Sequence, residues 1–160
     1  HILPAGSLPV LTARADLPLA LREDAAAVRP ARVVSHAPDR QLSELEAGGA
    51  SLLVPLLHEP AGAAIRVRIP AREVILAREV PSAISVHNIV PGRVRTVTPD
   101  TTRRAALVEI ALPSGAFLAR VTPDAIVRLG LAEGEPVFAL IKSVAIEVLD
   151  GRLPARPVPG

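Results

Sequence analysis

A chain of 160 residues, 49% apolar and 21% charged, holds enough hydrophobic material for one domain or two small ones and too few charges to stay disordered. Cysteine is absent, which excludes a disulfide framework, a thiolate metal site and a cysteine nucleophile. The formal charge is only +2, so the pI near 10.3 reflects thin buffering more than a basic field, and two phenylalanines as the only aromatics leave a nucleic-acid binder without stacking platforms.

Residues 1–15 read as irregular, with Pro4, Gly6 and Pro9. Asp16 is placed to cap a short helix running to about Val28, with Leu17, Leu21 and Ala25 on one face and Pro30 as its stop. Beyond Pro30 the hydrophobic period changes to two. Strands are expected at 31–35, 42–46 and 51–57, and 65–69 alternates strictly between apolar residues and arginine. Pro38-Asp39 and Gly48-Gly49 supply the turns between them. In the second half strands are expected at 92–97, 105–112, 116–121 and 136–149, with turns at Pro99-Asp100 and Pro113-Ser114-Gly115. Between the last two strands lies a helix signature: Thr122 caps, Pro123 takes the first helical position, and Gly130 closes the end after Leu129. Residues 150–160 carry three prolines and read as a tail.

The halves repeat each other. Ala31-Arg32-Val33-Val34 and Ala37-Pro38-Asp39 match Gly92-Arg93-Val94-Arg95 and Thr98-Pro99-Asp100, an offset of 61 residues, while 65–76 aligns without a gap on 137–148, an offset of 72. The extra residues cover most of the short helix and the loop after it. Duplication at this length implies two similar β units, each too small for a core of its own, that pack on each other or on another chain.

No segment reads as a catalytic motif. Ile141 precedes the one lysine, so no GxxxxGK[ST] phosphate loop exists, and neither HExxH nor GxSxG occurs. His1, His36, His58 and His87 are scattered without ligand spacing. The chain by itself is read as no enzyme, with no metal site and no cofactor. It opens on His1 and not Met, so it is expected to be a piece of something longer. Every apolar run is broken well short of the roughly 18 residues of a membrane span.

Two segments place donors among apolar residues: Ser85-Val86-His87-Asn88 and Ile141-Lys142-Ser143-Val144. Hydroxyls, a carboxamide, one ammonium and free backbone N–H groups suit a small dehydrated oxyanion, and the start of the Thr122 helix offers further N–H groups. On local chemistry alone Ser85 and Asn88 also read as loop hydrogen-bonders, and Lys142 reads first as a solvated strand residue. Of the eighteen Lys and Arg residues Lys142 is the one lysine. G+C-rich coding accounts for the abundance of Arg and Ala, but not for where that lysine sits.

Taken together these pieces resemble the molybdate-binding Mop domain, also called a TOBE domain. That family carries Ser-x-Arg-Asn, a Gly-x-Val strand, a helix start of the form x-Thr-x-x-Ser and, near its end, Ile-Lys-[Ala/Ser]-[Ser/Val]. Here Ser85-Val86-His87-Asn88, Gly92-Arg93-Val94, Val121-Thr122-Pro123-Asp124-Ala125 and Ile141-Lys142-Ser143-Val144 stand in that order and spacing over about residues 82–149. The whole chain resembles the C-terminal regulatory region of the ATP-binding subunit of a molybdate ABC transporter, whose ATPase would lie upstream. The resemblance implies an all-β fold of two tandem OB-like five-stranded barrels, with one short helix in the second and a short N-terminal helix. It divides the chain into a linker and helix (1–29), a degenerate first barrel (30–80), a second Mop domain with the anion motif (81–150) and a tail (151–160).

By the same resemblance Ser85, His87, Asn88, Thr122, Arg128, Lys142 and Ser143 take anion-binding positions, and Val144 contributes backbone. The ligand is then molybdate or tungstate, whose cytoplasmic level regulates transport. A homodimer, the upstream ATPase domain and the membrane subunits are the implied partners, in a cytoplasmic place peripheral to the inner membrane, with no nucleic acid and no insertion into the bilayer. Two departures stand out. His87 occupies the usual place of Arg and brings no fixed charge at neutral pH, which would weaken binding or make it pH-dependent. Ala125 replaces a frequent Ser. Thr122 reads equally as a helix cap, and Arg128 as a solvated helix residue. In the first half Pro70 falls opposite Lys142 and Ala71 opposite Ser143, so that barrel is expected to be structural and to bind no anion. Competing readings are a structural dimerisation module of an ABC ATPase that has lost its ligand, a free-standing molybdate storage protein, and an OB-type nucleic-acid binder, which the scarcity of aromatics disfavours.

Overall fold

The structure is a computed structural model that describes residues 25–149. Strands β1 (Ala26–Ala37), β2 (Leu42–Ala47), β3 (Ala50–Pro55) and β4 (Ala64–Pro70) form one antiparallel set. After a 3-10 turn at Ala71–Glu73 comes the short β5 (Val74–Ala77). The second set is β6 (Asn88–Asp100), β7 (Ala105–Ala111), β8 (Ala116–Val121) and β9 (Pro136–Ile141), with helix α1 (Pro123–Leu129) between β8 and β9. A second 3-10 turn, Ser143–Ala145, leads into β10 (Glu147–Leu149).

The strands alternate because their side chains do. In β4, Ile65, Val67 and Ile69 face the core, while Arg66 is exposed and Arg68 half-buried. β1 alternates likewise through Ala27, Arg29, Ala31 and Val33. The duplication extends to irregular detail. Each unit has a bulge at the matching place, between Val33 and Ser35 in β1 and between Val94 and Thr96 in β6. After each bulge a hydroxyl meets a carboxylate on the paired strand: Ser35 donates to Glu44 at 3.4 Å and Thr96 to Glu109 at 3.1 Å.

Each unit completes its sheet with the other's last strand. The first sheet runs β10-β4-β1-β2-β3 and the second β5-β9-β6-β7-β8. β10 pairs with β4, and β5 with β9, where it also lies against β8. Across the division expected at residues 80/81, each sheet takes four strands from one side and its fifth from the other. The cause is the direct run from β4 through a 3-10 turn into β5, repeated from β9 into β10, which carries each chain end past its own sheet.

Other expectations also need correction. Of the helix expected from Asp16 to Val28, residues up to 24 lie outside the described residues, and Ala26–Val28 belong to β1, whose pairing with β4 overrides the helix propensity of the alanines. Pro30 lies within that strand. β2 begins to pair only at Arg32, so on that side the missing N–H has no partner to lose. The strand expected over 136–149 is broken by the turn at Ser143–Ala145, and β5 lies in a stretch where no strand was expected.

A single apolar cluster runs through both units, including Val33, Leu45, Leu52 and Val67 from the first and Val94, Ile110, Phe117 and Ile141 from the second. At the joint, the buried Arg29 donates to the Ser114 carbonyl at 2.9 Å. Gly115, at φ +85°, lets this guanidinium lie against the turn, since a Cβ there would stand 2.2 Å from its central carbon.

Candidate functional site

β9 ends at Ile141, and Lys142 precedes the 3-10 turn with φ −66° and ψ 139°. The Lys142 carbonyl accepts from the Ala145 amide at 2.9 Å, and the Ser143 carbonyl from Ile146 at 3.3 Å. In the first unit Pro70 holds φ −62° and ψ 134° before the matching turn. The repeat keeps this backbone and changes its chemistry: proline presets the dihedral in one copy, and lysine adds an ammonium in the other.

Each turn packs on the other unit, Ser143–Ala145 against β3 and Ala71–Glu73 against β8. Where the Ser143 turn meets the first unit lies a solvent-facing pocket of about 310 Å³. Ser85 and His87 line it from the segment ahead of β6, Lys142, Ser143 and Val144 from the turn, and Gln41, Leu42 and Pro55 from the β2–β3 hairpin. The described lining residues include no carboxylate. Ser143 is 8% exposed, and its Oγ is buried without a hydrogen-bond partner, whereas buried hydroxyls normally have one. Exposed Lys142, Ser85 and His87 line the same pocket and carry potential donors.

The structure thus brings together Ser85, His87, Lys142, Ser143 and Val144. Asn88 is adjacent but differently engaged: both hydrogens of its amide go to carbonyls, those of Leu53 and Ile141, each at 3.0 Å. Thr122 and Arg128 do not line the pocket. Thr122 Oγ1 accepts from the Ala125 amide at 3.1 Å as the cap of α1, and Arg128 pairs with Asp124 at 3.3 Å on its exposed face. Gln41, Leu42 and Pro55 were not anticipated. No local pattern marks them, since only the packing of one unit on the other brings them to the pocket.

The matching place in the first unit is filled with hydrocarbon. Ala71, where the second unit has Ser143, packs with Ala25, Ala27, Leu107 and Leu118. A second cavity of about 290 Å³, between Gly49–Ser51 and Ile89–Pro91, is lined without a charged side chain. Among the described residues no group of His, Asp and Glu is arranged to hold a metal ion, and no helix is long and apolar enough to cross a membrane.

Residues 84–148 match the family described as TOBE domain. Proteins named molybdenum import ATP-binding protein ModC are similar over nearly the whole chain. That of Granulibacter bethesdensis is 46% identical over 93% of this chain and 42% of its own length, and that of Methylococcus capsulatus 37% identical over 91% and 41%. That of Pseudomonas fluorescens is 36% identical over 90% and 41%. The chain therefore spans about two fifths of these relatives' length. Among solved structures, the cytoplasmic molybdate-binding protein ModG with molybdate bound superposes with a TM-score of 0.65 at 24% identity, covering 76% of this chain and 93% of that one, a likeness of fold. The motif order, the doubled sheet and these matches converge: the chain is similar over nearly its whole length to a segment of the molybdenum import ATP-binding proteins, and its residues 84–148 match the TOBE domain model.

Proposed function

We propose that this chain is an oxyanion-binding regulatory module of the ATP-binding subunit of a molybdate importer, and that the pocket at the Ser143 turn takes molybdate or tungstate. One observation carries the reading: Ser143, whose buried hydroxyl has no partner, lines a pocket together with Lys142, and the described lining has no carboxylate. Lys142 supplies the charge. Ser85, Ser143 and the turn backbone at Val144 supply neutral donors, and the His87 ring adds an N–H donor. The names of the relatives and of the ModG structure supply the identity of the ion, and the relatives' ATP-binding role supplies the partners. These are an ATPase domain elsewhere in the parent subunit and the importer's membrane subunits at the cytoplasmic face; a second copy of the module is a further partner of this proposal. Catalysis belongs to the ATPase, not to this segment. Thr122 and Arg128 serve the helix, and the first unit binds no anion.

Calorimetric titration with molybdate and tungstate, with sulfate and phosphate as controls, tests this reading. Saturable binding at one ion per chain, lost in Lys142→Ala, is the expected result. No heat and no thermal stabilisation at millimolar molybdate overturns it and leaves a structural dimerisation module, for which the 81% exposed Val127 on α1 offers an apolar contact.

A further inference from the structure

Asn88 opens β6 one residue beyond His87 and is 3% exposed. Its carboxamide is spent on three backbone groups. Oδ1 accepts from the Leu53 amide at 2.7 Å, and Nδ2 donates to the Leu53 carbonyl at 3.0 Å and to the Ile141 carbonyl at 3.0 Å. Leu53 lies on β3, the edge of the first sheet. An edge strand presents N–H and C=O groups that need partners, and the Asn88 side chain pairs with both as a neighbouring peptide would. The third bond holds the carbonyl of Ile141, the residue before Lys142. One side chain therefore ties the β3 wall of the pocket to the strand end that bears the ammonium and the unpartnered hydroxyl. In the first repeat the same place belongs to Ala27, which packs in hydrocarbon with Ala71 and Leu118.

We propose that Asn88 is a positioning residue of the oxyanion site and not one of its ligands. With both N–H groups committed to carbonyls it has none to offer an anion. It fixes the spacing between the Lys142–Ser143 corner and the first unit, so that the donors are in place before the anion arrives. This rests on the oxyanion reading of the pocket. It also makes binding depend on the joint between the two units, since two of the three Asn88 bonds lie across it.

The test compares Asn88→Ala with Arg29→Met, which removes another side-chain bond across the joint without touching the pocket. Both are first verified as folded by circular dichroism at the titration temperature, and Asn88→Ser replaces Asn88→Ala if the latter fails. In titrations with sodium molybdate, Asn88→Ala is expected to keep its stoichiometry and lose affinity about tenfold or more, while Arg29→Met stays within about twofold. Affinity unchanged in Asn88→Ala, or lost equally in both variants, overturns the proposal. An anion-free arm reads the position of the turn directly. The Ala145 and Ile146 amides should exchange hydrogen about tenfold or more faster in Asn88→Ala and not in Arg29→Met. Unchanged exchange also overturns the proposal. If the unaltered chain gives no heat with molybdate while exchange responds as expected, the oxyanion reading falls and the hold of Asn88 on the turn stands.

Discussion

At Ser143 a hydroxyl is buried without a partner, while Ala71 fills the matching turn of the first repeat with a methyl group. Ser143→Ala should therefore leave the anion-free protein equally or more stable, by up to about 1–3 kcal/mol, the penalty of an unmet buried polar group. The same change should weaken molybdate binding about tenfold or more, because a hydrogen bond to a charged group contributes about 1.5–3 kcal/mol. Thermal melts without anion, set beside calorimetry with it, read the two effects separately. Asp100 is a different kind of buried polar group. Burial pushes its carboxyl up, but hydrogen bonds from the Arg103 amide and guanidinium, with the charges of Arg103 and Arg120, outweigh this and hold it below the usual carboxylate range. A depressed folded pKa means that the ionised form stabilises the fold. That contribution is complete above the ordinary carboxylate range and is lost as pH falls through the depressed value. Asp100→Asn should lower the melting temperature at neutral pH and lose less than the unaltered protein on acidification, in melts taken from neutral pH to about pH 3. Lys142 was legible in the sequence as a candidate through the order of the motifs, since its local chemistry alone favours a solvated strand residue. The role of Asn88 was not, because its partner Leu53 is 35 residues away and on the other unit.

Elements with strong local chemistry form where the sequence places them. Thr122, Pro123 and Gly130 bound α1 as expected, with Gly130 left-handed at φ +64°. Thr122→Ala should cost about 1 kcal/mol of stability through the lost cap and leave molybdate affinity unchanged, since Thr122 stands outside the pocket. Denaturant unfolding and calorimetry check the two halves of that statement; a large loss of affinity would return Thr122 to the ligand set. Elements whose form depends on a distant partner were misread. Ala26–Val28 have helical composition but extend because β4 pairs with them from Ala26 to Arg32. β5 has only four residues, too few to show a period, and exists because β9 offers it an edge.

On the scale of the molecule, the exchanged fifth strands join two units that share one core. Unfolding should be a single cooperative transition, with circular dichroism and calorimetry giving coincident curves. Residues 81–149 expressed alone lack β5 and should show no cooperative melt, and addition of residues 25–80 should restore one. Two separate transitions in the whole chain would show that the exchange does not couple the units.

The sequence by itself determined the β class, the duplication, most strands, the capped helix and the two segments from which the pocket's donors come. Each of these rests on side-chain period, turn chemistry or motif order, which act over a few residues. Only the tertiary structure decided that the fifth strands cross, that Gln41, Leu42 and Pro55 form the far wall, that Asn88 binds backbone, and that Thr122 and Arg128 stay with their helix. Those outcomes turn on which edges and faces meet across the joint, and residues distant in the chain, such as Leu53 and Asn88 or Gln41 and Val144, meet there only once both sheets have formed.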